Sequence, residues 1–159
     1  MQNLQPKPVS ASQTQQTQIL IHEHINGSGR LFGGRLMEGI DIVAAVTARG
    51  HSGRNVTTAS IDTLHFKSPA YINDTILLEG TTTYVGRTSM EVRVDTFVEA
   101  LDGTRRMINR AYLVMVALDE RGRPPPVPPL LPETEEQRQE WEAGKRRNEL
   151  RKQRKAEQF

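Results

Sequence analysis

The chain has 159 residues, enough for one domain with extensions, and 36% of them are apolar. No apolar run reaches the roughly 18 residues of a membrane span, and a net charge of +2 does not by itself imply a nucleic-acid partner. The absence of cysteine excludes disulfides, thiolate zinc sites and a cysteine nucleophile, and it agrees with a cytoplasmic protein.

Residues 1–16 are polar, glutamine-rich and proline-containing, and the reading is a disordered leader without signal-peptide features. TQILIHEHI (17–25) reads as a short strand. Residues 26–34 hold four glycines and read as a tight turn. From Gly34 to about Gly50 apolar residues recur at helical spacing (Leu36, Met37, Ile40, Val43, Ala44), and Ile42, Ala45 and Val46 fill the remaining side. A helix apolar nearly all round is expected to be buried on most faces.

Four strand-like stretches follow: 56–66, 75–85, 88–100 and 105–119. The third alternates, with Met90, Val92 and Val94 on one face and Glu91, Arg93 and Asp95 on the other. Asp102-Gly103 marks a hairpin between the last two. The expected fold class is α+β: one long helix wrapped by a curved antiparallel sheet, its last four strands in a meander, all within a domain at 17–120. RGRPPPVPPLLP (121–132), with six prolines, reads as an extended linker without regular hydrogen bonding. Residues 133–159 read as a charged helix, with Thr134 and Gln137 as a capping box. Acidic residues lead in it and basic ones follow, which suits the helix dipole. Its plainer reading is a solvated, partly frayed helix; the alternative is a basic arm for a polyanion or a neighbouring subunit.

Asp41 is the oddity. It stands between Ile40 and Ile42, and a buried carboxylate must be paired, protonated or turned toward water. Gly33 and Gly34 open the same helix, where unpaired N–H groups and a positive partial charge form an oxyanion hole in kind. Asn26, ahead of the turn, has an amide able to hold a water or a carbonyl. Together these suit hydrolysis of an activated acyl group. Each also has a plain structural reading: an Asp at a helix edge, glycines that make a turn, an Asn that ends a strand. His22 and His24 share a face if 17–25 is a strand, so a metal site is conceivable there, but no established metal pattern supports it and none is expected. No cofactor is expected. GxSxG and P-loop motifs are absent from the sequence.

The segment HINGSGRLFGGRLMEGID resembles the opening motif of hotdog-fold acyl-CoA thioesterases of the acyl-CoA hydrolase branch. The likeness continues through VTTASIDTLHFKSPAYINDTILLEG and VGRTSMEVRV to VALDERGRPPPVPPLLPETEEQ, covering roughly residues 19 to 147. The resemblance implies a hotdog fold and hydrolysis of fatty acyl-CoA to free fatty acid and CoA. It implies Asp41 as general base or nucleophile, Asn26 completing the site, and the Gly33 and Gly34 amides polarising the thioester. It further implies a site built across a dimer, with Asn26 of one subunit near Asp41 of the other, and a homohexamer made as a trimer of dimers. Thr58 falls beside the acyl end. Arg87 and Ser89 fall where the family passes the CoA arm, and Arg54 and Lys67 are further cations for its phosphates. The competing readings are a hotdog hydratase or dehydratase, which would want a histidine near the helix start, a non-catalytic acyl-CoA sensor, and nucleic-acid binding through the basic tail.

Overall fold

The computed structural model describes residues 4–62 and 64–158. Short strand β1 (Lys7–Pro8) and a 3₁₀ turn (Val9–Ser12) lead into β2 (Thr14–Ile19). A second 3₁₀ turn (His22–His24) and the glycine-rich loop precede helix α1 (Gly33–Ser52). Then come β3 (Asn55–Ile61), β4 (His65–Phe66), β5 (Thr75–Val85), β6 (Ser89–Glu99), β7 (Arg105–Leu118), β8 (Leu130–Leu131) and helix α2 (Glu135–Ala156). The main sheet runs β2-β5-β6-β7-β3, antiparallel throughout, with β4 also on β7.

Helix α1 touches five of these strands, β2, β3, β5, β6 and β7, so the sheet is wrapped around it. Leu36, Ile40, Val43, Ala44 and Ala48 point into the core against Leu78, Met90, Val92, Val94, Leu113 and Met115. Full burial of each large aliphatic side chain contributes about 1.5–3 kcal/mol. The approach is close at Gly80 of β5, where an added Cβ would overlap Thr47 Oγ1 and lie 2.9 Å from Val43 Cγ1. Only glycine lets strand and helix meet there.

The structure departs from the sequence reading at several points. The expected meander holds for β5-β6-β7, but β3 lies beyond β7 and β2 takes the edge beside β5. The strands before and after α1 thus stand at opposite edges of the main sheet. The helix does not stop at Gly50: it runs one turn further, to Gly53, which has φ +68° and donates its N–H to Arg49 O at 2.8 Å. That is a left-handed cap, for which glycine is the natural residue. The strand expected at 17–25 is instead Thr14–Ile19, followed by the 3₁₀ turn.

The leader expected to be disordered is folded from Lys7 onward: Val9 is 2% exposed and β2 pairs with β5 from Thr14 to Ile19. Backbone ladder bonds, not apolar side chains, hold the glutamine-rich strand. The proline-rich segment is extended but hydrogen-bonded. Val127 N–H donates to Arg87 O and Lys7 N–H to Pro129 O, each at 2.9 Å, while β8 pairs in parallel with β1.

Helix α2 is docked rather than solvated. Thr134 Oγ1 caps it by accepting Gln137 N–H at 3.1 Å. The return bond of the expected capping box goes to Glu133 N–H, from which Gln137 Oε1 accepts at 2.7 Å. Trp141 lies against Tyr84 with ring centroids 5.2 Å apart. The outward charges of β6 are buried beneath the helix. Glu91, 2% exposed, accepts from Thr83 Oγ1 at 2.6 Å, from Arg147 Nη2 and Nε at 2.8 and 3.0 Å, and from Arg151. Burial pushes the Glu91 carboxyl up, but the bonds from Arg147, Thr83 and Arg151 outweigh it and hold its pKa below the ordinary 4.5. Asp95 pairs with Arg110 at 2.6 Å, and Glu140 with Arg93 at 3.1 Å.

Candidate active site

Asp41 lies on α1, half-buried, on the flank that faces the edge strand β3. Thr58 of β3 donates its hydroxyl to Asp41 Oδ1 at 2.6 Å. The bond orients one carboxylate oxygen and leaves Oδ2 unengaged by any described residue. The oddity of a carboxylate within an apolar helix thus resolves into a paired group on a partly exposed flank.

Gly33 and Gly34 form the first turn of α1, whose N-cap is Phe32. Phe32 O already accepts from Arg35 N–H (3.0 Å) and Leu36 N–H (3.1 Å). The Gly33 and Gly34 N–H groups have no acceptor among the described residues, as expected of a first helical turn. Both amides are free to bind an oxyanion, and the helix dipole favours negative charge there.

The preceding loop is rigidly tied. Asn26 Oδ1 accepts from Ser28 N–H at 2.9 Å and Arg30 N–H at 3.2 Å, an Asx turn, which leaves its NH₂ group to donate elsewhere. Leu31 N–H bonds Ala70 O and Phe32 N–H bonds His24 O, each at 2.8 Å. Asn26, Gly33 and Lys67 line one pocket of about 400 Å³, together with Arg30, Leu36 and Phe66. Asp41 is not among its lining residues. The candidate residues therefore fall in two separate places on the chain: Asp41 with Thr58 at the β3 edge, and Asn26 with the first turn of α1 at the pocket.

The other sequence candidates lie apart. Ser89 opens β6, and its carbonyl accepts Gly86 N–H at 2.9 Å. Arg87 is exposed, its backbone held by Val127. Arg54 lines a different shallow groove with Arg49 and Glu120. His24 is buried and its Nδ1 accepts Ile21 N–H at 3.0 Å, so it serves its own turn. Among the described residues no group of three or more His, Cys, Asp or Glu is placed to hold a metal. Sequence reasoning missed Arg30 and Phe66. The Phe66 ring lies over the first turn of α1, 3.4 Å from where a Gly33 Cβ would stand.

A long helix wrapped by a curled antiparallel sheet is a hotdog fold. A family model, that of the thioesterase superfamily, matches residues 28–102, and the chain belongs to this family. It is 43% identical over 113 residues to an uncharacterized acyl-CoA thioester hydrolase of Bacillus subtilis, covering 70% of this chain and 66% of that one. It is 32% identical over 150 residues to the cytosolic acyl coenzyme A thioester hydrolase of Mus musculus, covering 91% of this chain. The chain spans 39% of the length of that mouse relative.

Among solved structures, an apo-hexameric acyl-CoA thioesterase superposes with a TM-score of 0.92 at 44% identity, covering 96% of this chain and 99% of that one. The acyl-CoA hydrolase of Staphylococcus aureus, solved with butyryl coenzyme A and coenzyme A, gives a TM-score of 0.91 at 33% identity, covering 96% and 93%. That enzyme was also solved as alanine variants of an asparagine, an aspartate and a threonine, spaced 15 and then 17 residues apart.

Proposed function

We propose that this chain hydrolyses acyl-CoA thioesters to a free carboxylic acid and CoA. The observation that carries the reading is the Thr58 to Asp41 hydrogen bond on the flank of the helix whose first two amides are open. Asn26, Asp41 and Thr58 stand 15 and 17 residues apart, the intervals of the three positions varied in the Staphylococcus aureus hydrolase. In this reading the thioester carbonyl points at the Gly33 and Gly34 amides. Asp41 takes a proton from water, or attacks the carbonyl carbon to form an anhydride that water then opens. The C–S bond breaks and the CoA thiolate leaves.

The separation of the two half-sites supports a site completed by a second copy, with Asn26 of one protomer reaching Asp41 of the other. The outer face of α1 keeps Ile42 and Val46 each 48% exposed, so a helix expected to be buried on most faces has one side for a partner to cover. The hexameric relative supports a homo-oligomer, and we propose a trimer of dimers. Lys67 stands beside the Asn26 pocket, and Arg54, Arg87 and Ser89 are proposed to take the CoA arm. The proposed location is the cytoplasm, by likeness to the mouse relative, which is named as cytosolic.

The test is turnover of short- to long-chain acyl-CoAs with released CoA read by a thiol reagent. The chain has no cysteine to contribute background. Thiol release that requires the acyl-CoA supports the reading. No release at any chain length refutes it, and hydration of an enoyl-CoA would replace it.

A further inference from the structure

Strand β3 carries Thr58 to the site, yet its ladder to β7 is interrupted: Thr58 pairs with Met115 and Ser60 with Val114, leaving Ala59 as a bulge. The extra residue switches the alternation of the strand. Thr58 lies opposite buried Met115 and faces α1. Beyond the bulge, Ile61 lies opposite buried Leu113. Asp62 is therefore on the other face, that of Tyr112, whose hydroxyl meets Glu140 of α2 at 2.9 Å. In a regular strand Thr58, Ser60 and Asp62 would share one face.

On that outer face Asp62 is clamped. Arg151 of α2 donates Nε to Oδ1 and Oδ2 at 3.1 and 3.2 Å and Nη2 to Oδ2 at 2.9 Å, and both side chains are less than a fifth exposed. Arg154 stands 3.9 Å away, and Asp62 N–H bonds Tyr112 O at 2.9 Å. Arg151 is itself held by the buried Glu91. Among the described residues β3 is an edge strand, paired only with β7. The clamp therefore fixes the free end of that strand, about 13 Å along it from Thr58.

We propose that Asp62 and Arg151 are positioning residues for the reaction: they set the register and tilt of β3 so that the Thr58 hydroxyl meets Asp41. This gives α2, outside the site, a part in catalysis, and it rests on the thioesterase reading above. A bidentate guanidinium–carboxylate pair constrains direction as well as distance. A misplacement of about 1 Å at a reacting group costs up to about a hundredfold in rate.

The experiment is a double-mutant cycle on kcat for acyl-CoA, using Asp62→Asn and Thr58→Val singly and together, with circular dichroism and chain assembly checked for each. Asp62→Asn is expected to lower kcat about tenfold with KM within about twofold. In the Thr58→Val background it is expected to cost less than about twofold, because the group it positions is gone. The same loss in both backgrounds, or no loss from Asp62→Asn, overturns the inference. If Asp62→Asn does not fold, Arg151→Lys carries the same cycle, since it keeps the charge and forfeits the fork. A wild-type chain with no turnover overturns the thioesterase reading and this inference together; turnover with an additive cycle overturns this inference alone.

Discussion

Glu91→Gln tests how α2 is held. Of the residues of α2, only Gly144 is fully buried; Trp141 packs part-buried against the core, and the rest of the docking rests on the ionic layer. Glu91 is the centre of that layer, receiving Arg147, Arg151 and Thr83 on a carboxylate 2% exposed. A glutamine offers one acceptor oxygen and turns an NH₂ group toward guanidinium donors, leaving two arginines short of a partner. Removing one member of a buried ion pair costs about 3–5 kcal/mol. Glu140 and Asp62 still receive Arg147 and Arg151, so the lower end applies, about 3 kcal/mol. For a chain of this size that is a fall in Tm of roughly 6–12 °C. The assay is thermal unfolding at matched protein concentration, followed by circular dichroism and by the emission of the single tryptophan. Trp141 sits on α2 against Tyr84, so its emission is expected to shift as the helix loosens. A fall of less than about 2 °C with unchanged emission would refute the ionic-docking argument. The pH dependence has a fixed sign. Because the Glu91 pKa is held below 4.5 in the fold, its stabilisation is complete above 4.5 and is lost as pH falls through the lower, folded value. Glu91→Gln is expected to flatten that acid limb.

Three further outcomes are expected. Gly144→Ala improves intrinsic helix propensity by about 1 kcal/mol, yet its Cβ would stand 2.6 Å from Tyr84 Cβ and 2.9 Å from Glu91 Oε1. Overpacking of about 1–3 kcal/mol wins, and a thermal melt showing net stabilisation would contradict that close approach. His51 is fully buried on α1 and donates Nε2–H to Pro128 O at 2.7 Å. Burial, with Lys7 nearby, lowers its pKa against the opposing pull of that carbonyl. Its stabilisation is complete above 6.5 and declines as pH falls from there toward the lowered value, so urea midpoints between pH 7.5 and 5.5 should drop in wild type and less in His51→Gln. Finally, Asn26→Ala and Asp41→Ala chains, each inactive alone, are expected to recover about a quarter of wild-type turnover when unfolded together and reassembled, because random pairing restores one intact site in four. No recovery from a mixture that reassembles would place both groups within one protomer's site.

The sequence was most readable where one side chain decides the local structure. The 3.6-residue spacing of Leu36, Ile40, Val43 and Ala44 marked the helix, Asp102-Gly103 marked the hairpin, and Asp41 announced itself as a charge among aliphatics. It was least readable where backbone pairing or distant partners decide. Thr14–Ile19 has little apolar content and forms a strand only because β5 lies beside it. The prolines of 121–132 indicated extension but not that Pro128 O meets His51 or that Leu130 pairs with Lys7. The charges of α2 read as a solvated surface because their partners, Asp62, Glu91 and Arg93, are between 47 and 89 residues away in sequence and are brought together only by the sheet. Within the site, Asp41 and Thr58 were legible as separate candidates, whereas their hydrogen bond depends on β3 lying alongside α1, which no residue type in β3 announces.

The measurement closest to the central claim is acyl-CoA turnover by wild type and Asp41→Asn, with the two proteins matched in fold and assembly. Asparagine keeps the size of the side chain and an oxygen able to accept the Thr58 hydroxyl, but it removes the charge. A loss in kcat of about a hundredfold or more is expected if the carboxylate is the base or the nucleophile. Equal turnover by the two proteins would make Asp41 a structural partner of Thr58 and contradict the account.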